Sequence, residues 1–415
     1  MAVYNIFPSA DATLYSFYPS KNTGRDPILE ISVNNSQDGV RFLNRSSLTD
    51  NPYYTYDLAA NGNYDESIFY FPTSSIKRSV LQFAASEIAT LKTYASQSVS
   101  GSWEANLILY LATAQNLSTT YSLEAYALTQ SWSMGTGQYA NVPQSTNGVS
   151  WNYTGPAQNS PLWITGGGSW NESLTGSQYF DYMSNKDVNM NVSDIVDAWF
   201  SGSTSNYGMI VKHPAAIEQS TSSFIDLKFF SVDTHTIYPP TLQFKWDDSY
   251  YYPQGVNYVL SDQISVVLSN NPGVFRQNEV YKMRTAVRET YPVRRFTTSS
   301  VYLETLYLSE NSYWALQDIK TNEMVVDFDE RFTKLSADSV SNYFTLYTSG
   351  LEINRYYRLL VKTNIYSTTF GPLSVYDSQQ SIYNALSLYG PEDLLLLPAE
   401  EVIYTNENLV FKIIS

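Results

Sequence analysis

Residues 189–246 carry one helical signal directly ahead of three strand signals. Val192, Ile195, Val196 and Trp199 recur at helical spacing, with Asp194 and Asp197 between them, and Ser201-Gly202 ends the segment. Residues 207–212 read as a buried strand, 224–230 as a second, and 241–246 as an alternating closing strand. Tyr238-Pro239-Pro240 is a stiff turn, because proline fixes its own φ and restricts the residue before it. Nearly all remaining periodic segments read as strand. One amphipathic helix just before the last strands of a β-rich segment leaves few folds open, and a β-sandwich is the expected one.

The upstream segments fit that expectation. Asp11-Ala12-Thr13-Leu14 gives a first strand, residues 19–24 a turn, and 28–33 a second strand with clean alternation. Residues 37–73 are polar and aromatic and read as an insertion with one hairpin, turning at Asn61-Gly62-Asn63. Residues 78–83 read as a buried strand running into a short turn at Ser86-Glu87-Ile88. The apolar run 105–112 reads as one fully buried strand, and 123–128 as the next. Trp132, Trp151, Trp163 and Trp170, with Gly166 to Gly168, mark a tryptophan- and glycine-rich loop region.

Several of these pieces resemble, in order, a DNRLRE-type domain, a jelly-roll module of bacterial surface proteins and phage virion proteins. The start matches at Asp11-Ala12-Thr13, at Pro19, Asn22 and Gly24, and at Leu29 and Ile31. The middle matches at Arg78-Ser79-Val80-Leu81 with Phe83, Ser86 and Ile88, then at Ser131-Trp132 and Val149-Ser150-Trp151-Asn152. The end matches at Asn191-Val192-Ser193 with Val196 and Trp199, at Asn206-Tyr207-Gly208-Met209-Ile210, at Phe229-Phe230-Ser231 and at Pro239-Pro240-Thr241-Leu242. Two departures stand out: Gln130 replaces an acid, and Val232-Asp233 stands where the family has Arg-Glu. The resemblance implies a jelly roll with insertions over residues 1–248.

After Trp246 the character changes, through a tyrosine-rich junction at Tyr250-Tyr251-Tyr252. Residues 249–415 read as one or two small immunoglobulin-like or fibronectin-like β-sandwiches, with any division near 300–350, because strand candidates recur with turn signals between them. Asn270-Asn271-Pro272-Gly273 and Ser349-Gly350-Leu351 are the clearest turns. Residues 353–362 are the clearest strand, and 402–404 and 409–414 are the closing ones. Residues 280–288 are mixed, with Val280, Met283 and Val287 out of strand phase. The fold class expected is therefore all-β, a jelly roll followed by smaller sandwiches.

Composition narrows the function. Charged residues make up 15% of the chain and tyrosine alone numbers 36, a balance suited to extracellular, capsid-like and adhesive β proteins. The net charge of −15 argues against a nucleic-acid-wrapping protein. No cysteine is present, which excludes disulfides and thiolate chemistry. No run of about 20 apolar residues could span a membrane. Residues 1–11 lack the basic and apolar pattern of an export signal. A surface-type composition without such a signal suits a virion part assembled in the bacterial host cytoplasm and released by lysis.

Catalytic signals are weak. His213 and His235 are the only histidines, so a zinc site is not expected. Gly135, Gly137 and Ala140 fit the loosest dinucleotide pattern, but no strand-to-helix context surrounds them. Asp11 reads as a turn or edge acid bonded to backbone amides, with a cation ligand as the alternative. Arg78 reads as the partner of an acid at a sheet edge. The tryptophans either stack on sugar rings or pack the loops over the sandwich, and packing is the commoner use. Neither catalytic residues nor a metal or cofactor is expected. Arg284, Arg288, Arg294 and Arg295, with Lys282, form a basic cluster in an acidic chain. These four arginines and Tyr250, Tyr251 and Tyr252 are the candidate partner contacts. The reading is a non-enzymatic structural component of a bacteriophage virion, in the tail, baseplate, neck or a fibre attachment. Its partners would be other virion proteins in a symmetric assembly. A carbohydrate-binding surface module or adhesin, with a glycan ligand, is the alternative.

Overall fold

This computed structural model describes residues 2–36, 73–157, 159–181, 183–220, 224–251, 257–258, 264–291, 306–366 and 399–415. The expected insertion at 37–73 falls almost wholly outside them, as do Tyr252, Arg294 and Arg295. The fold class is all-β, built from antiparallel sheets with short helices. Two compact units divide the chain: Phe7–Ala89 with Ala105–Leu242, and Met1–Ile6 with Thr90–Glu104 and Gln243–Ser415. We call them the first unit and the second unit.

In the first unit the large sheet runs Leu111–Gln115, Phe224–Phe230, Ile28–Ser36, Thr73–Phe83, Met209–Lys212, Thr120–Leu128, Trp170–Asp181. The long strand Thr73–Phe83 serves two partners along one edge. Its first half pairs with Ile28–Ser36, from Ser36 opposite Thr73 to Ser32 opposite Lys77, and its second half pairs with Pro8–Tyr15. Met209–Lys212 lies along the other edge, with Ile210 opposite Val80. One face of this sheet presents Ala12, Leu14, Val80, Leu128 and Ile210, and the tryptophan-rich loop closes over it with Trp132, Val149 and Trp163.

The expected helix forms at Ser193–Ser201 and buries Ile195, Val196, Ala198, Trp199 and Phe200. Gly202 ends it in the left-handed region, at φ 75°, and its N–H donates to the Trp199 carbonyl. Elsewhere the structure departs from expectation. A second helix, Ala85–Ser96, forms where only a turn was read, burying Ile88 and Leu91. The 105–112 run is two strands: Trp103–Leu109 pairs with Val188–Asn191, whereas Leu111–Gln115 joins the large sheet beside Phe224–Phe230. The chain changes sheet at Tyr110. Trp170–Asp181 is a twelve-residue strand that periodicity did not reveal, because its residues are mostly polar and half exposed.

The second unit holds two six-stranded sheets. One runs Asn257–Tyr258, Leu306–Tyr307, Val280–Glu289, Asn342–Tyr347, Ser336–Ala337, with Ile264–Leu268 also on Val280–Glu289. The other runs Val274–Arg276, Val410–Ile414, Tyr356–Tyr366, Ser312–Asp318, Met324–Val326, with Ala399–Tyr404 on Tyr356–Tyr366. They share one core, in which Val266, Met283 and Phe344 from the first sheet meet Trp314, Leu359, Phe411 and Ile413 from the second. Trp314 stacks on Phe344 with ring centroids 4.5 Å apart. Val280–Glu289 is a regular strand despite its mixed sequence. Its inward positions are Met283, Thr285 and Val287, and Val280 points out to solvent. Thr285 hides the alternation. Its hydroxyl donates to the Asn342 carbonyl, which lets a polar residue occupy a buried position. Among the described residues, no helix is long and apolar enough to cross a membrane.

Candidate functional site

Of the candidate contacts, Arg284, Tyr250 and Tyr251 come together near one edge of a sheet in the second unit. Arg284 lies opposite Tyr343, and Tyr343 lies opposite Ser336. Tyr251 bridges in parallel to Ala337, so the tyrosine-rich junction runs alongside the same edge. The Tyr250 N–H donates to the Ser336 hydroxyl at 3.1 Å, and the Ala337 N–H donates to the Tyr250 carbonyl at 2.8 Å. This backbone anchoring leaves the Tyr250 ring 54% exposed. Tyr251 is different: its hydroxyl donates to the Leu308 carbonyl at 2.6 Å, so its polar tip is already engaged.

Arg284 is also engaged. Its guanidinium forks onto Asp338, at 2.9 and 2.8 Å, and Lys282 reaches the same carboxylate at 3.0 Å. Asp338 further accepts the N–H groups of Val340 and Ser341, closing the turn between Ser336–Ala337 and Asn342–Tyr347. The Arg284 hydrogen bonds hold the Asp338 carboxyl well below the usual carboxylate range, outweighing its partial desolvation. The Lys282 ammonium sits 3.5 Å from the Tyr343 ring centroid. Sequence reading picked out the cations here and missed Asp338, whose signal was the Asp-x-x-Ser turn at residues 338–341. Arg288, four residues along the same strand, is exposed on the same outward face. It lines a groove of about 630 Å³ with Val267, Leu268, Pro272, Asn408 and Val410.

The chain matches no family model and no curated protein.

In the first unit the residues that looked most chemical are packed inside. Arg78 forks onto Glu218 at 2.9 and 2.8 Å and donates to the Gly167 carbonyl at 2.9 Å. Its guanidinium lies between two indoles, 4.8 Å from Trp151 and 5.1 Å from Trp170. It does pair with an acid, as expected, but under the tryptophan loop rather than at a sheet edge. Lys212 shares Glu218 at 3.6 Å and lies opposite Glu124 on the neighbouring strand. Burial lowers the Lys212 pKa, against the pull of Glu218. Trp132 and Trp163 donate their indole N–H groups to the carbonyls of Tyr207 and Ser150. These four indoles therefore pack the loop and form no exposed row.

The glycines of the loose dinucleotide pattern serve a close approach. Asn22 is fully buried and donates to the carbonyls of Met134 and Val149, at 2.7 and 2.9 Å, while Gly137 N–H donates to its side-chain oxygen at 2.7 Å. A Cβ on Gly135 would come within 2.4 Å of that oxygen, and φ is 77° there. Asp11 accepts the Val232 N–H at 2.7 Å, which ties the first strand to the segment after Phe229-Phe230-Ser231. Burial pushes its pKa up to about 7, in spite of that bond. Among the described residues, no three His, Asp or Glu side chains stand close enough to hold a metal ion.

Proposed function

We propose that the protein is a non-enzymatic structural component of a bacteriophage virion, working through protein–protein contacts in a symmetric assembly. One observation carries the reading. The residues shared with the DNRLRE pattern act as packing devices of a single β unit. Asn22 pins the loops, Arg78 is clamped between indoles, and Asp11 joins strand to strand. Side chains that a catalyst would aim at a substrate are here aimed at the protein's own backbone. Among the described residues, exposed tyrosine and arginine surface remains available for partners, of which Tyr250 and Arg288 are the candidates. A half-exposed tyrosine offers contact area and a hydrogen bond at low entropy cost.

The test is mass spectrometry of purified particles with the copy number per particle. The expected result is stoichiometric presence in a multiple of a cyclic symmetry order. Absence from particles sinks the reading and leaves glycan binding by the first unit as the next to examine.

A further inference from the structure

We propose that the outer face of the second unit's Val274–Arg276, Val410–Ile414, Tyr356–Tyr366 sheet docks an extended acidic segment of a partner protein. The face is set by register. Val274 lies opposite Lys412 and Lys412 opposite Tyr356, and Arg276 lies opposite Ile414. Val410 lies opposite Arg358. The intervening residues Phe275, Phe411, Ile413, Tyr357 and Leu359 all point into the core. So Arg276, Arg358 and Lys412 share the outward face, on adjacent strands about 5 Å apart.

Their surroundings make this patch unlike the Arg284 region. Each cation there is matched to Asp338. On the outer face, Arg276, Arg358 and Lys412 make no salt bridge with any described residue, and Lys412 only overlies the Tyr356 ring, at 5.6 Å. Lys412 and Arg358 are diagonal neighbours across two paired strands, an arrangement that costs free energy until an anion intervenes. The apolar surface between them is open: Val274 is 43% and Tyr356 54% exposed.

A row of cations that pair with no described acid, interleaved with aromatic and aliphatic surface on a chain of net charge −15, selects an occupant by charge. A carboxylate-bearing extended chain fits best, since carboxylates match guanidinium forks while its apolar residues cover Val274 and Tyr356. This surface lies apart from the Arg284–Asp338 neighbourhood and does not depend on the virion reading.

The test uses the full chain and a fluorescein-labelled peptide of alternating Glu and Leu, followed by anisotropy at two salt concentrations. Binding that weakens with salt is expected. The Arg358→Glu/Lys412→Glu double variant and Arg276→Glu should each weaken it about tenfold or more. Lys92→Glu, an exposed charge reversal in the Ala85–Ser96 helix, should leave it unchanged. All four residues are surface positions, and retained thermal midpoints would exclude misfolding. No binding, or binding that ignores the variants, overturns the proposal. So does variant-sensitive binding of heparin in place of the peptide, which would assign the strip to a sulfated glycan. Variant-sensitive dimers of the chain itself would assign it to a second copy, and would overturn it too.

Discussion

Arg78 and Glu218 meet in a two-point hydrogen bond although 140 residues separate them in sequence. The pair is almost wholly buried, and Trp151 and Trp170 hold the guanidinium from two sides. Because Lys212 leans on the same carboxylate, Glu218→Ala would leave the buried Arg78 guanidinium without its acid and Lys212 with Glu124 alone. That should cost about 3–5 kcal/mol. Calorimetry should show the first unit's melting midpoint falling by roughly 10 °C. Arg78→Lys should cost nearly as much, since a point charge supplies neither fork nor stack. A midpoint unmoved by either substitution would mean the cluster contributes nothing to folding.

Asn22 is a second fixed point. Its side chain satisfies the carbonyls of Met134 and Val149 and the N–H of Gly137. Asn22→Ala strands three polar groups, at about 1–3 kcal/mol each where water cannot reach them. The substitution should also release the loop. Proteolysis under native conditions should cut first near residues 134–149, and an uncut loop would contradict the role assigned to Asn22.

The first unit was legible where burial follows a period and obscure where it does not. The helix ahead of the last strands could be read because Ile195, Val196 and Trp199 all face inward. Ala85–Ser96 could not, because its fully shielded residues amount to Ile88 and Leu91. In Trp170–Asp181 the deeply buried positions are Gly176 and Phe180, and glycine gives no hydrophobic signal. Gly176 is there because a Cβ would meet the Asn191 carbonyl at 2.5 Å. The candidate contacts were half legible. Charge reversal in an acidic chain marked the cations, but only the side-chain contacts show Arg284 neutralised by Asp338, whereas Arg288 makes no ion pair with a described residue. The row of Arg276, Arg358 and Lys412, which pair with no described acid, was invisible, since its members lie far apart in sequence and meet only through strand pairing.

The Arg284–Asp338 pair gives a modest, salt-sensitive effect. Both side chains are about a quarter exposed, so solvent screening limits the stabilisation to about 1 kcal/mol. Asp338 has a depressed pKa, so its contribution is present at neutral pH and is lost as pH falls below the ordinary carboxylate value near 3.8. Asp338→Asn should lower the second unit's denaturation midpoint slightly at pH 7 and low salt. In about 1 M salt the ionic part of that difference should vanish, whereas an undiminished gap would place the effect in the turn hydrogen bonds to Val340 and Ser341.

Two buried groups of the first unit titrate in opposition. Burial raises Asp11 to about 7, so the folded state holds a proton that the unfolded chain releases near 3.8. Its stabilising contribution is full below 3.8 and is lost as pH rises through 7. Burial lowers His213 to about 4, so the folded state resists a proton that the unfolded chain binds near 6.5. Its contribution is full above 6.5 and is lost as pH falls through 4. Between about pH 4 and 6.5 the two slopes have opposite sign, and the native protein should show a nearly flat stability profile there. Removing one group exposes the other. Asp11→Asn keeps an acceptor for the Val232 N–H and abolishes the titration, so its stability should climb with pH across that window. His213→Gln should instead lose stability as pH rises from 4 to 7. Urea denaturation of the two variants at half-unit pH steps reads both slopes, and parallel profiles would show that neither group titrates as its burial requires.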